Sequence, residues 1–336
     1  MAPASTMRAY QLDDPVQGLQ LTHVPVPSLR SDEVLITVEA AGLCHTDCHI
    51  LNGHVDDWIK KRPITLGHEV AGVISDVGTD VSRFRVGDRV VAALPGHSTD
   101  EPDFNNAIGM GIDGGYAEHM TVPARFVLPI PPRVSFAQAA VASDSILTAY
   151  HAVKCKAAVD ASTTVGIVGL GGLGLNGVRI ACIQGAVVYG VDIDETKFAE
   201  ARRQGARDCV TDLSHLQHVR FDVIVDFAGV GSTTADAVSA VRADGRVVLV
   251  GLGAPTLELS TLAIVTRRIE LRGSLGATMV EFAEVLDLIA TGAISPVLEE
   301  IPFEMVPEGL KRLERNEVSG RLYTRPNVSS KISSNL

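Results

Sequence analysis

The chain has 336 residues, 46% of them hydrophobic, enough to bury a sizeable core in one large domain or two and too apolar for a disordered chain. Twenty-nine lysines and arginines against forty aspartates and glutamates leave a net charge of −11, which argues against a basic face for nucleic acid or anionic lipid. The longest apolar stretch, Val165 to Val178, is glycine-rich and interrupted by Asn176, so it falls short of the roughly eighteen apolar residues a membrane-spanning helix needs.

The first six residues lack the basic and apolar regions of a secretory signal. Cys44, Cys48, Cys155, Cys182 and Cys209 are few, odd in number and unevenly spaced, which points to reduced thiols in the cytoplasm rather than a disulfide framework. The terminal Ser334-Asn335-Leu336 differs by one residue from the peroxisomal Ser-Lys-Leu, a secondary expectation for location.

Up to about residue 145, short valine-rich runs such as Val34–Val38, Val70–Ile74 and Arg89–Ala93 are broken by Gly, Pro and Asp. This spacing predicts a β-rich domain with tight turns, Val86-Gly87-Asp88 among them. Beyond Ala139 strand-like runs at 164–169, 187–192, 222–226 and 246–251 alternate with helical patterns at 174–184, 195–204 and 232–241. That rhythm predicts a parallel, doubly wound α/β sheet. A helix over 280–291 leads into Pro-containing segments that return to the first domain, giving boundaries of 1–145, 146–276 and 277–336.

The run Thr164–Val168 enters Gly169-Leu170-Gly171-Gly172-Leu173-Gly174 and then an apolar helix. Gly169 permits the tight turn, Gly171 lets backbone N–H groups approach a pyrophosphate, and Gly174 allows the helix to pack closely on the strand. The helix N-terminus adds a field that favours an anion. A second strand ends in Asp192, eighteen residues past Gly174, where a carboxylate can accept hydrogen bonds from both ribose hydroxyls. Asp194 and Glu195 follow with no arginine, so a 2′-phosphate is repelled and NAD is expected over NADP.

Gly42-Leu43-Cys44-His45-Thr46-Asp47-Cys48-His49 and Gly67-His68-Glu69 place thiolate, imidazole and carboxylate donors at strand-end turns. These donors suit tetrahedral zinc, and the twenty-four residues from Cys44 to His68 require the fold to bring them together. With the segments Gly67–Gly72, Val86–Val90, Gly114–Glu118, Thr148–Ala152 and the glycine turn, the chain resembles the zinc-dependent alcohol dehydrogenases of the medium-chain dehydrogenase/reductase superfamily over nearly its whole length. The resemblance implies a GroES-like β-rich catalytic domain and a Rossmann nucleotide-binding domain. It implies Cys44 and His68 as zinc ligands and, six residues before Tyr150, Asp144 as the third. Glu69 is implied as a carboxylate that binds the zinc or stands behind it, and Asp47 as the group that orients His68. Thr46 is implied to take the alcohol proton, a relay through ribose hydroxyls to deliver it to His49, and His49 to exchange it with water. Thr148 and Leu173 are implied against the nicotinamide, His45 and Arg321 near the pyrophosphate, and Gly172, Lys197 and Val250 within the same cofactor site.

The interval from Val91 to Gly114 holds no cysteine and is too short for the four-cysteine lobe that carries a second zinc in many members of this family, so one catalytic zinc per chain is expected. His97, Asp100, Glu101, Asp103 and His119 are read as solvated loop residues. Trp58 and Leu94 are expected to line the substrate pocket, with residues 96–111 flanking it, and their apolar character favours a hydrophobic alcohol or aldehyde. Assembly as a homodimer or homotetramer is expected through the sheet edge near Arg268–Leu275. The reaction implied is reversible hydride transfer between a primary or secondary alcohol and NAD, giving an aldehyde or ketone. Two alternatives stand beside it: reduction of an activated carbon–carbon double bond with NAD(P)H, and dinucleotide binding without catalysis. The intact Thr46 and His49 favour carbonyl chemistry.

Overall fold

In the computed structural model, residues 6–94 and 104–328 are described. The readings made on the first five residues, on Ser334-Asn335-Leu336 and on His97, Asp100, Glu101 and Asp103 lie outside them. The chain begins with β1 (Thr6–Leu12), β2 (Gln20–Pro25), β3 (Glu33–Gly42) and the short helix α1 (His45–Leu51). Next come β4 (Ile64–Thr65), β5 (Glu69–Val77), β6 (Arg89–Ala92), β7 (His119–Pro123), β8 (Val127–Pro129) and α2 (Phe136–Val141). A turn of π-helix at Ala142–Ile146 leads into α3 (Leu147–Tyr150). Strands and helices then alternate through β9 (Thr164–Val168), α4 (Gly172–Ile183), β10 (Val187–Val191), α5 (Phe198–Gln204) and β11 (Asp208–Val210). They continue with β12 (Phe221–Asp226), α6 (Ser232–Ala240), β13 (Val241–Leu249), α7 (Thr261–Arg267) and β14 (Glu270–Gly273). The last elements are α8 (Met279–Ala290), β15 (Leu298–Ile301), α9 (Val306–Glu314) and β16 (Arg321–Thr324).

These elements form two compact units, described through the residues given above. One comprises Met1–Asp144, Thr278–Ala290 and Val297–Leu336, the other Ser145–Ala277 and Thr291–Pro296. The sequence places a continuous return to the first unit from residue 277. Instead Thr291–Pro296 groups with the second unit, where the Ala293 carbonyl accepts a 2.7 Å bond from Arg179 Nε. Among the described residues no helix is long and apolar enough to cross a membrane.

In the first unit a seven-stranded sheet runs β15-β16-β3-β5-β6-β8, with β7 also pairing β3, and a small sheet β2-β1-β4 stands beside it. The valine-rich runs become β3, β5 and β6 because their β-branched side chains fill a shared interior, in which Val34, Ile36, Val38, Val70, Ile74 and Val90 are fully buried. His119 departs from its expected place in a loop. It sits half-buried on β7, opposite Thr37, with a 3.3 Å contact to the Thr37 hydroxyl.

The second unit is a six-stranded parallel sheet in the order β11-β10-β9-β12-β13-β14. The order reverses between β9 and β12, the crevice where such sheets receive ligands. β14 is an edge strand within the segment expected to meet another copy, and Leu271 and Leu275 are exposed there.

Candidate active site

β3 and β5 are antiparallel with Gly42 opposite Glu69. That register brings Cys44, just beyond β3, next to His68, which directly precedes β5. Asp144 reaches the same place from the π-helical turn, a local distortion of a kind that recurs at functional sites. One donor atom from each of Cys44, His68 and Asp144 lies within 4.8 Å of the other two. Asp144 Oδ2 is 3.3 Å from Cys44 Sγ and 3.5 Å from His68 Nε2. Ligands on a tetrahedral ion with bonds of about 2.0–2.3 Å stand roughly 3.3–3.8 Å apart, so these separations fit a metal ion at their centre. Both His68 ring nitrogens are buried without a hydrogen-bond partner, a costly state for an imidazole that a metal ion would relieve. Burial favours the neutral His68 ring, but Asp47, Cys44 and Asp144 outweigh it and set its pKa well above the ordinary value. The site draws positive charge to its centre.

Asp47 is fixed behind His68. Its Oδ1 lies 3.5 Å from His68 Nδ1 and accepts the Gly67 N–H at 3.3 Å, while Oδ2 accepts the Tyr116 hydroxyl at 2.7 Å and the Cys44 N–H at 3.3 Å. The last bond is half of a capping box at the start of α1, in which Cys44 Sγ accepts the Thr46 N–H. Tyr116 carries a role the sequence did not disclose. It lies in a family segment, but nothing in its spacing links it to Asp47, 69 residues away.

Glu69 is fully buried, and Arg321 from β16 grips both its oxygens, Nη2 to Oε1 at 2.6 Å and Nε to Oε2 at 3.0 Å. Burial raises the Glu69 carboxyl pKa and Arg321 works against that rise. A side chain at position 42 would collide with this carboxylate, since a Cβ there would lie 1.8 Å from Glu69 Oε2. Arg321 also donates to Asp144 Oδ2 at 3.0 Å. This changes the reading of Arg321 as a group facing a pyrophosphate: 3% exposed, its guanidinium is closed onto the buried Glu69 and the partly buried Asp144 carboxylates. A buried carboxylate without a counter-ion costs far more than an exposed one, and that decides where the guanidinium goes.

The Thr46 hydroxyl is half-buried and 3.5 Å from Cys44 Sγ. His49, one turn further along α1, is half-buried; burial and then His54 lower its pKa, while Glu314 opposes them. His45 is exposed, and its Nε2 lies 2.9 Å from the Leu313 carbonyl near the end of α9. Trp58 stacks on Phe104 at 4.7 Å between ring centroids. Leu94 is 8% exposed within the core of this unit, and Trp58 packs against that core.

In the second unit Gly169 adopts φ +84°, a left-handed conformation that favours glycine, and its N–H reaches the Val191 carbonyl at 2.8 Å. Gly174 packs so closely that a Cβ would lie 1.7 Å from the Gly169 carbonyl oxygen. At Gly171, the cap of α4, a Cβ would meet nothing within 4 Å, leaving the open cradle a pyrophosphate requires; Gly172 and Leu173 begin the helix behind it. Asp192 directly follows β10 and binds this turn, accepting the Leu170 N–H at 2.7 Å. Lys197 stands 3.2 Å from both Asp192 oxygens. Thr148 lies buried on α3, and Val250 follows β13 with its N–H on the Asp226 carbonyl at 2.9 Å.

Comparison with known proteins agrees with both halves of this geometry. Residues 30–132 match the family described as "Alcohol dehydrogenase GroES-like domain" and residues 172–291 that described as "Zinc-binding dehydrogenase". The chain is 32% identical to an NAD-dependent alcohol dehydrogenase of Sulfurisphaera tokodaii, covering 95% of this chain and 100% of that one. It is also 32% identical to an alcohol dehydrogenase of Geobacillus stearothermophilus, covering 95% and 99%. Among solved structures it resembles the acetophenone reductase of Geotrichum candidum in complex with NAD, with a TM-score of 0.89, 31% identity and coverage of 97% and 98%. The alcohol dehydrogenase of Aeropyrum pernix gives a TM-score of 0.88 at 29% identity, covering 95% and 100%.

Proposed function

The chain belongs to the zinc alcohol dehydrogenases of the medium-chain dehydrogenase/reductase superfamily, and from that premise we propose that it oxidises an alcohol reversibly with NAD, using one catalytic zinc held by Cys44, His68 and Asp144. The observation that carries the metal assignment is the convergence of these three donors within 4.8 Å around a buried imidazole whose nitrogens have no hydrogen-bond partner. When bound, zinc supplies a Lewis acid with an open position for the substrate oxygen, and NAD supplies the hydride acceptor. Asp47 holds the His68 ring so that its other nitrogen faces the metal position. Arg321, held by both oxygens of Glu69 and donating to Asp144, tempers the negative charge of the ligand set. Thr46, beside Cys44, would accept the alcohol proton while releasing its own hydroxyl proton along the relay to His49, and His49, whose pKa burial lowers, would exchange a proton with water. Zinc content by elemental analysis of protein purified without chelator, followed by a panel of alcohols with NAD, tests this reading. One zinc per chain with alcohol-dependent NADH formation is expected; a chain that retains no zinc would remove the carbonyl mechanism and move double-bond reduction or a non-catalytic role to the front.

NAD is the preferred cofactor because Asp192 sets a negative charge where the 2′-phosphate of NADP would lie. Replacing Asp192 with Gly removes that repulsion and frees the Lys197 amine to meet the phosphate. Both cofactors lose the Leu170 contact that orders the turn, so the ratio is the informative quantity. The NADP/NAD ratio of kcat/KM is expected to rise about tenfold, the effect of removing roughly 1.4 kcal/mol of like-charge repulsion. An unchanged ratio would take Asp192 out of cofactor selection.

A further inference from the structure

His49 has an unexpected neighbour. The chain leaves α1 through Asn52 and Gly53, with Gly53 at φ +72°. The Gly53 N–H bonds to the Ile50 carbonyl at 3.1 Å and the His54 N–H to the His49 carbonyl at 2.9 Å. This pair of bonds is the Schellman helix stop, which folds the second residue past the cap back over the third-last residue of the helix. An apolar contact usually occupies that position. Here it holds two imidazoles, with Nδ1 to Nδ1 at 3.4 Å and ring centroids 5.7 Å apart. His49 is half-buried and His54 is exposed.

We propose that His54 is the solvent-side partner of His49, passing to water the proton that His49 receives during alcohol oxidation and returning one during carbonyl reduction. This rests on the reading of His49 as the proton-exchanging group. A hydrogen bond between two Nδ1 atoms at this separation requires one proton between them, with one ring donating and the other accepting. A second proton makes one ring an imidazolium next to its neighbour, a state the pair relieves by release to water. The step moves one proton and no electrons. An N–H bond of His49 breaks as one forms at His54 Nδ1, the His54 Nε2 proton leaves to water, and solvent exchange on the exposed ring restores its tautomer. The charged groups acting on His49 are His54, which lowers its pKa, and Glu314 of α9, which raises it and is held by Asn52 Nδ2 at 2.8 Å. The half-buried ring has an acidic group acting on it and an exposed acceptor in contact with its Nδ1. His54 thus acts through His49 as a positioning residue and needs no contact with the substrate.

The test compares wild-type holoenzyme with His54→Gln and His49→Gln in single-turnover alcohol oxidation across pH, in dilute buffer and with added imidazole, while NMR follows the ring titration. His54→Gln is expected to slow the turnover about three- to tenfold below neutral pH, within the range of general acid–base effects, and added imidazole should restore it. Loss of the His54 ring, which lowers the His49 pKa, should raise it, so the acid limb of the rate profile moves to higher pH. If His49→Gln perturbs the profile but His54→Gln is indistinguishable from wild type, the proposal fails and His49 alone remains. If neither variant changes the profile, the His49 reading itself falls. A slower His54→Gln with an unmoved profile and no imidazole rescue would reduce His54 to a structural helix stop, which also overturns the proposal.

Discussion

Replacing Asp144 with Ala is expected to strip zinc from the purified protein and lower kcat by about a thousandfold or more, while NADH still binds within about twofold of wild type. Cys44 and His68 alone leave two protein ligands where a catalytic zinc usually has three, and the Lewis-acid contribution of several kcal/mol is lost with the metal. The glycine turn, Asp192 and Lys197 take their geometry from β9, β10 and α4, so dinucleotide affinity is not expected to follow the metal. Elemental analysis and quenching of protein fluorescence by NADH read the two effects separately. Asp144→Cys supplies a softer ligand at the same place and is expected to keep the zinc. A fully metallated, fully active Asp144→Ala would show that the third ligand has been misassigned.

The second large effect concerns stability. Arg321→Met is expected to lower the unfolding free energy by about 3–5 kcal/mol, because it leaves the fully buried Glu69 carboxylate without its counter-ion and removes a donor from Asp144. Adding Glu69→Gln to Arg321→Met should recover a substantial part of the loss, since the uncompensated charge is then gone. Denaturant titration of the two variants measures this directly. A single substitution that leaves the midpoint within error of wild type would mean that the pair contributes no net stability. By the same reasoning, exposed pairs such as Arg268–Asp244 are solvated in folded and unfolded chains alike, and their loss should leave the midpoint unmoved.

These expectations differ in how far the sequence could support them. The glycine turn and Asp192 are joined by one strand–helix–strand unit, so their relation is local and could be read from spacing. The convergence of Cys44 with His68 follows from the β3–β5 register, which valine patterning suggests but does not specify. Asp144 lies 100 residues from Cys44, and only the resemblance to a known family pointed to it. Arg321 is 252 residues from Glu69; its charge called for an anion partner, but the family resemblance implied a phosphate and the fold supplied two carboxylates. His54 is five residues from His49, and Gly53 between them was the available signal, a left-handed helix stop that folds the chain back on itself.

The sequence by itself determined the chemistry on offer: a parallel α/β sheet with a dinucleotide turn, an acid at the end of its second strand, and thiolate, imidazole and carboxylate donors at strand ends in a β-rich unit. Such features depend on residue type, short-range spacing and periodicity, which hold wherever the segment lies. Only the tertiary structure decided which buried charge answers which. Arg321 goes to Glu69 and Asp144, the Tyr116 hydroxyl to Asp47, and His68 turns Nδ1 toward Asp47 and leaves Nε2 for a cation. Those pairings are set by the cost of burying an uncompensated polar group, and that cost exists only once long-range packing has removed the water.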